Sequence, residues 1–181
     1  MSKHPAWSIA GACAVIVLAG WMIARTHARR EIVPQLLQTS PITYSNYVNV
    51  RFAYSICYPQ KLLAPQGESP DGDGQKFASS DGQVTATVYG TNNVPAQSLE
   101  QVLSQDAEGV ALSKQTMTAD RFTFSGKKSN NTVVVEDTLF RDQQFKTLNL
   151  EFPAALTETY APVAERMIAC FSNTTPTQYS H

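Results

Sequence analysis

The sequence predicts an α+β protein in which an N-terminal transmembrane helix precedes a domain with helices packed on an antiparallel sheet. Three observations predict this class. An uninterrupted apolar run occupies Ala6–Ala24. Several later segments alternate apolar and polar residues and are joined by short polar turns, as antiparallel strands are. Two other segments carry apolar residues at helical spacing, one between strands and one near the end of the chain.

The apolar run predicts a membrane anchor at residues 1–30. It contains 19 residues without a charge, enough for a helix to nearly cross a hydrocarbon core of about 30 Å. Trp7 and Trp21 lie near its two ends, where indole rings favour the membrane interface, and Arg25 closes it. A buried core helix is disfavoured because the run is apolar on every face. A cleavable signal peptide remains the alternative, although Thr26-His27-Ala28 is a poor cleavage site.

The charges that flank the run give conflicting indications of orientation. Arg25, Arg29 and Arg30 outnumber Lys3, and the positive-inside rule alone would keep the domain in the cytoplasm. Large domains translocate largely regardless of such charge, and two cysteines in the domain suit an oxidising compartment. We therefore expect a single-pass inner-membrane protein with its domain on the periplasmic side.

The composition of residues 31–181 limits the possible partners. This part carries ten Lys and Arg against fifteen Asp and Glu, which leaves a net charge of −5. An acidic domain without a basic stripe is a poor nucleic-acid binder and a weak partner for anionic lipid. We expect a linker at 31–46, interrupted by Pro34 and Pro41, one domain at 47–172, and a polar tail at 173–181.

The first elements of the domain are predicted as strands. Alternation from Val48 to Tyr58 predicts one long strand that ends at Pro59. A loop follows at 70–74, then a short strand at 76–78. Asp81-Gly82 predicts a hairpin turn into a strand that contains Val84, Ala86 and Val88.

Two helices and three further strands follow. Ser98 and Gln101 form a capping box for a helix that ends at Gly109. Strands are expected at 121–125, 132–140 and 144–152. A final amphipathic helix is expected over 160–171, with Pro162 in its first turn.

Several of these segments resemble PsbP-like and DcrB-like domains over roughly residues 47–172. The motifs on which the resemblance rests are Phe52-Ala-Tyr-Ser-Ile-Cys-Tyr-Pro59, Gly72-Asp-Gly-Gln-Lys-Phe77, the Asp81-Gly82 hairpin and Leu148-x-Leu-x-Phe-Pro153. The resemblance implies an α/β/α sandwich with a central antiparallel sheet and a C-terminal helix. Members of that superfamily are mostly binding or assembly proteins of membranes and envelopes, without a shared catalytic site, so no functional residue is carried over.

Cys57 and Cys170 are the candidate disulfide. In such a sandwich the first strand and the last helix can pack together, which makes a bridge sterically plausible. Two unrelated buried thiols are the alternative. A catalytic thiol is disfavoured because the domain has no Cys-x-x-Cys motif and the three histidines, His4, His27 and His181, lie outside its core.

Two pairs of acidic residues are candidate sites. Asp71 and Asp73 alternate as calcium ligands do, but the distal glutamate of an EF-hand loop is missing, which favours a solvated turn. Glu136 and Asp137 are adjacent in a predicted strand, so their side chains point to opposite faces and cannot share one site. We therefore predict no catalytic residue, no metal site and no cofactor.

The favoured function is a non-enzymatic, membrane-anchored envelope protein that binds or helps to assemble another protein. An inhibitor that neutralises a toxin in the same compartment is one alternative. An enzyme with an unrecognised site is another, and a pocket that holds carboxylates of shifted pKa would favour it. The partner and the oligomeric state are not predicted.

Overall fold

A computed structural model describes residues 41–173 of the chain. Within this range, ten strands, two α-helices and one short 3-10 helix follow one another along the chain. Their bounds are β1 Tyr44–Asn49, β2 Tyr54–Pro59, β3 Ala64–Glu68, β4 Gly74–Ala78, β5 Thr85–Asn92, α1 Leu99–Asp106, β6 Val110–Met117, β7 Arg121–Lys128, β8 Thr132–Arg141, β9 Gln144–Pro153, the 3-10 helix Ala154–Leu156, α2 Thr157–Cys170 and β10 Ser172–Asn173.

The strands form two antiparallel sheets. The main sheet has seven strands in the order β3-β4-β5-β9-β8-β7-β6, and a small sheet has the order β1-β2-β10. Helix α1 packs on one face of the main sheet, while α2 and the small sheet pack on the other. The predicted central antiparallel sheet and C-terminal helix are therefore confirmed.

Each face of the main sheet has its own hydrophobic core. The core under α2 is the larger and joins both sheets; its largest fully buried members include Tyr54, Phe77, Phe152, Phe171 and Met167. The core under α1 consists of Leu99, Leu103, Phe122, Phe124, Val134 and Phe145. Because strand side chains alternate between faces, β7 contributes Phe122 and Phe124 to the α1 core, whereas β8 contributes Val134 to the α1 core and Leu139 to the α2 core.

The predicted long strand over Val48–Tyr58 is wrong. The structure divides it into β1 and β2, which pair with each other as a hairpin around a turn at residues 50–53. The Asn49 side chain accepts a hydrogen bond from the Phe52 backbone N–H at 2.8 Å, and Ala53 adopts φ = 52°. The apolar residues Val48, Val50 and Phe52 continue the alternation of the sequence through the turn, so alternation alone does not reveal it. In the hairpin, Tyr47 shares the face of Ile56, while Val48 pairs with Ser55 on the other face.

Strands β3 and β6 are absent from the sequence-based prediction. They are the two edge strands of the main sheet, and every residue of β3 is exposed. In β6 only the two terminal residues are even half-buried. A strand without a buried face has no reason to alternate apolar and polar residues, so the pattern that identifies internal strands is missing.

The small sheet also extends beyond the predicted start of the domain. Strand β1 begins at Tyr44, inside the segment predicted as a linker, because Tyr44 pairs with Pro59 in β2. The predicted short strand at 76–78 and the Asp81-Gly82 turn are confirmed as β4 and the β4–β5 connection.

Both predicted helices are present. The capping box of α1 is complete, since Ser98 and Gln101 exchange side-chain to backbone hydrogen bonds. Helix α2 begins at Thr157, earlier than predicted, so the placement of Pro162 in the first turn is wrong. Proline cannot donate to the carbonyl of Glu158, but both residues are exposed and water can serve that carbonyl.

The predicted membrane anchor lies outside the described residues, as do Trp7, Trp21 and Arg25. Among residues 41–173, no helix combines the length and the apolar character that spanning a bilayer requires. The anchor at residues 1–30 stays a prediction.

Candidate functional site

The disulfide between Cys57 and Cys170 confirms the predicted pairing. The two sulfur atoms are 2.00 Å apart, the Cα atoms 5.8 Å apart, and the bond joins residues 113 positions apart. It links β2 to the last residue of α2, and Cys57 is only 4% exposed. The small sheet and α2 are therefore covalently held together on one face of the main sheet.

A second contact fixes the C-terminal end of α2 to the main sheet. Asp137 is fully buried, and Arg121 donates two hydrogen bonds to its carboxylate at 2.8 and 2.7 Å. Thr123 donates a third at 2.5 Å, and Arg121 also donates to the Ile168 carbonyl at 3.0 Å. A buried charge needs such partners, and here the same arginine also satisfies a carbonyl of α2.

A cavity lies between α2 and strands β6, β7 and β8. Its volume is about 730 Å³. Ala161, Ala164 and Ile168 of α2 form one wall, and Val133 and Val135 of β8 form the apolar part of the floor. We call this cavity the groove. Its size is in the range of binding sites for small molecules or for a segment of a partner.

The far side of the groove is polar and positively charged. It consists of side chains from β6 and β7, namely Ser113, Lys114, Thr116, Thr123, Ser125 and Lys127. Lys114 and Lys127 are exposed, and neither forms an ion pair within residues 41–173. Glu165 on α2 is the acidic residue of the lining. The groove therefore joins an apolar wall to a basic one.

Glu136 and Asp137 lie on opposite faces of β8, as the sequence predicts. Asp137 faces α2, whereas Glu136 faces α1 and is 4% exposed. Asn149 donates a hydrogen bond to Oε2 of Glu136 at 2.8 Å, while Oε1 is buried and has no hydrogen-bond partner among residues 41–173. The neighbouring carboxyl group belongs to Asp106, the last residue of α1.

This environment changes the protonation of the acids. Burial raises the pKa of Glu136 to about 8; the hydrogen bond from Asn149 opposes the shift, and the charge of Asp106 adds to it. Burial also raises the pKa of Asp106, and burial together with both carboxyl groups raises the pKa of nearby Tyr89. A protonated Glu136 can donate from Oε1 to Asp106, which gives this buried oxygen the partner it lacks.

Asp71 and Asp73 belong to the turn before β4, and their contacts there are structural. Ser69 donates to the Asp73 carboxylate, and Tyr54 donates to the Asp73 carbonyl at 3.0 Å. Arg51 donates to the Asp71 carbonyl. No cluster of three or more potential metal ligands occurs within residues 41–173.

Sequence reasoning missed every residue that lines the groove. The lining comes from α2 and three strands that are distant in sequence, and β6 was not recognised as a strand at all. The one available signal was the pair Lys114 and Lys127 in a domain of net negative charge, but only the pairing of β6 with β7 places them on one surface.

Comparisons with known proteins identify the fold. No family model and no curated protein matches the chain. Cyanobacterial PsbP (CyanoP) from Synechocystis sp. PCC 6803 is similar in structure, with a TM-score of 0.52 at 11% identity over 75% of this chain and 95% of that protein. The described domain therefore has a PsbP-like fold, and the resemblance noted in the sequence is confirmed at that level.

Two further solved structures show weaker similarity. A protein from Bacteroides thetaiotaomicron VPI-5482 has a TM-score of 0.49 at 11% identity, over 73% of this chain and 49% of that protein. LpqN of Mycobacterium tuberculosis, described as involved in cell envelope biogenesis, has a TM-score of 0.38 at 11% identity, over 76% of this chain and 88% of LpqN.

Proposed function

We propose that this chain is a membrane-anchored envelope protein whose PsbP-like domain binds another protein, without catalysis, through the groove between α2 and strands β6–β8. The observation that carries the proposal is the groove itself, a cavity of about 730 Å³ with an apolar and a basic wall. Cavities of this kind on a rigid scaffold are the usual places of binding.

The location in the envelope is supported by two features at different places in the chain. The apolar run at residues 6–24 has the length and the flanking tryptophans of an anchor. The Cys57–Cys170 disulfide is of a kind that persists in oxidising compartments and is rare in the cytosol. Both features are expected of a protein whose domain faces the periplasm.

A binding role is favoured over an enzyme by the placement of the perturbed acids. Glu136 and Asp106, whose pKa values are raised, lie on the α1 face of the sheet, whereas the groove lies on the α2 face. An enzyme would need such groups inside the cavity where a substrate binds.

Site-specific photo-crosslinking in cells tests the proposal. A photo-reactive amino acid placed at Ala169, an exposed residue of the groove, should give a covalent adduct with a specific protein. The same group at Gln83, an exposed residue of the turn between β4 and β5 that does not line the groove, is the matched control. The proposal fails if position 169 gives no protein adduct beyond those of position 83. An adduct with a single secreted toxin would instead support the inhibitor role.

A further inference from the structure

The main sheet is covered unequally on its α2 face. Helix α2 and the small sheet cover strands β5, β9 and part of β8, while no other element among residues 41–173 covers the same face of β6 and β7 beside α2. On the opposite face α1 packs on β7 and β8. We propose that the open strip binds an amphipathic, acidic α-helix of the partner protein, which lies beside α2 in the same layer. This inference rests on the proposed function and specifies the partner's segment.

The dimensions of the groove match a short helix. Thr157 and Ala169 both line it, and twelve helical steps along α2 correspond to about 18 Å. Strands β8 to β6 are two strand spacings apart, or about 10 Å, which is the diameter of a helix with its side chains. Three turns of a partner helix therefore fit along the wall that α2 provides.

The chemistry of the walls defines the two faces of that helix. Val133, Val135 and Ile168 line the groove and are only half-buried, so they retain apolar surface that a partner can cover. Ala161 and Ala164 are small and allow a second helix to approach α2 closely. The side of the partner helix that faces α2 and β8 is therefore apolar.

The opposite side of the partner helix faces two lysines of the groove. Lys114 pairs with Ser125 across the β6–β7 ladder, and Lys127 lies two residues further along the same face of β7. Diagonal neighbours in a regular ladder lie about 7–8 Å apart, and two lysines placed this closely on one face repel each other. Carboxylates at successive turns of a partner helix relieve this repulsion, because residues three or four apart lie on one side of a helix.

A helix fits this surface better than a strand added to the edge of β6. The β6–β7 ladder shifts register between Leu112 and Lys114, which is a β-bulge in the outermost strand. Such bulges twist an edge strand and interrupt the regular row of hydrogen-bonding groups that an added strand needs. The groove, with its apolar and basic walls, is therefore the surface that suits recognition of a partner.

The first test uses a defined probe and the full-length chain in zwitterionic nanodiscs, with empty nanodiscs as background. The probe is a fluorescent 16-residue peptide with leucine and alanine on one helical face and glutamate on the other. We expect saturable binding that weakens as salt increases. A peptide of the same composition with scrambled order, a peptide with lysine in place of glutamate, and oleate as a competing amphiphile are the comparison ligands.

Variants of the chain locate the binding. The double variant Lys114→Glu and Lys127→Glu should weaken binding about tenfold, because two favourable charge contacts become repulsive. Lys61→Glu and Lys76→Glu together reverse two exposed lysines outside the groove and should leave binding unchanged. Because both groove lysines are exposed, a melting curve like that of the wild type verifies folding. The inference is overturned if the scrambled peptide binds with the same affinity as the probe. It is also overturned if oleate displaces the bound probe while the comparison peptides do not distinguish sequence or charge.

The second test identifies the natural segment. Adducts formed from position 169 in cells are digested, and the crosslinked peptide is sequenced by mass spectrometry. The inference requires a segment with apolar residues at i, i+3, i+4 and i+7 and acidic residues opposite, and a loss of adduct in the double lysine variant. An adduct that maps to a basic or strand-forming segment, or to a second copy of this chain, contradicts it while leaving the proposed protein binding intact. Absence of any protein adduct removes both.

Discussion

At the scale of single residues, Glu136 has an unusual environment for a carboxyl group. It is 4% exposed, accepts one hydrogen bond from Asn149, and lies beside the carboxyl group of Asp106 at the end of α1. A negative charge at the C-terminal end of a helix is also unfavourable, which adds to the cost of ionising this pair. The protonated form of Glu136 is therefore the form that packs between α1 and the sheet.

The stability of the domain should depend on pH through Glu136. Its pKa is about 8 when folded and 4.5 in the reference state, so the folded protein binds more protons between these values. The contribution of Glu136 to the free energy of unfolding is then fully present below pH 4.5. It falls as the pH rises towards 8, by up to about 1.4 kcal/mol per pH unit, and levels off above that. Glu136→Gln mimics the protonated acid and should flatten this decline. Urea unfolding measured from pH 5 to pH 8.5 checks this.

Glu158→Gln is the matched control, because Glu158 is an exposed residue of α2. It should retain the slope of the wild-type protein. If the unfolding free energy of Glu136→Gln depends on pH as steeply as that of the wild type, the pH dependence arises elsewhere. The hydrogen bond from protonated Glu136 to Asp106 is then refuted.

The sequence predicted part of this residue-scale description. Alternation in β8 correctly placed Glu136 and Asp137 on opposite faces, because the period of a strand is two regardless of its neighbours. It did not reveal that Asp106 approaches Glu136 from α1, since these residues are 30 positions apart and meet only through packing. The pairing of Arg121 with Asp137 was missed for the same reason.

At the scale of elements, the disulfide determines how α2 is held beside the small sheet. It closes a loop of 113 residues between β2 and the end of α2. Because cross-linking restricts the unfolded chain, a loop of this size stabilises the fold by at most about 4–5 kcal/mol. The same bond positions the α2 wall of the groove.

Removal of the disulfide should destabilise the domain. Replacement of Cys57 or Cys170 by serine is expected to lower the melting temperature by an amount on the order of 10 °C, measured by circular dichroism on the purified protein. Cys13→Ser, which alters the cysteine in the predicted anchor, should leave the melting temperature unchanged. A wild-type melting temperature that does not respond to reducing agent would contradict the expectation.

Elements with a buried face were predictable, and elements without one were not. The internal strands β5, β7, β8 and β9 were recognised because each has at least one buried face that carries apolar residues, and α1 was recognised from its capping box. The edge strand β6, which bears Lys114, has no buried face and left no pattern. The β1–β2 hairpin was missed because apolar residues in its turn continue the alternation of the sequence, although the buried face changes from odd to even positions between β1 and β2.

At the scale of the whole molecule, the proposed function depends on which side of the membrane the domain occupies. The conflict between Arg25, Arg29 and Arg30 on one side and Lys3 on the other leaves the orientation to be measured. The disulfide favours the oxidising side.

A reporter fusion measures this orientation directly. Alkaline phosphatase, which is active only where its disulfides form, is fused after His181 so that the contact between Asn173 and Lys146 is retained. We expect an active fusion, and loss of activity when residues 6–24 are deleted. A stably expressed but inactive full-length fusion would place the domain in the cytoplasm and refute the proposed location.

The sequence by itself determined the properties that depend on neighbours along the chain. These are the apolar run at 6–24, the internal strands, the two helices, the net negative charge, and through its motifs the PsbP-like fold. The cysteines also allowed the Cys57–Cys170 pairing to be predicted. The tertiary structure alone decided which other distant residues meet: Arg121 with Asp137, Glu136 with Asp106, and α2 with Lys114 and Lys127 at the groove. The physical reason is that periodicity reports only which face of an element is buried. Contact between faces depends on how strands are ordered in the sheet and how helices pack on it.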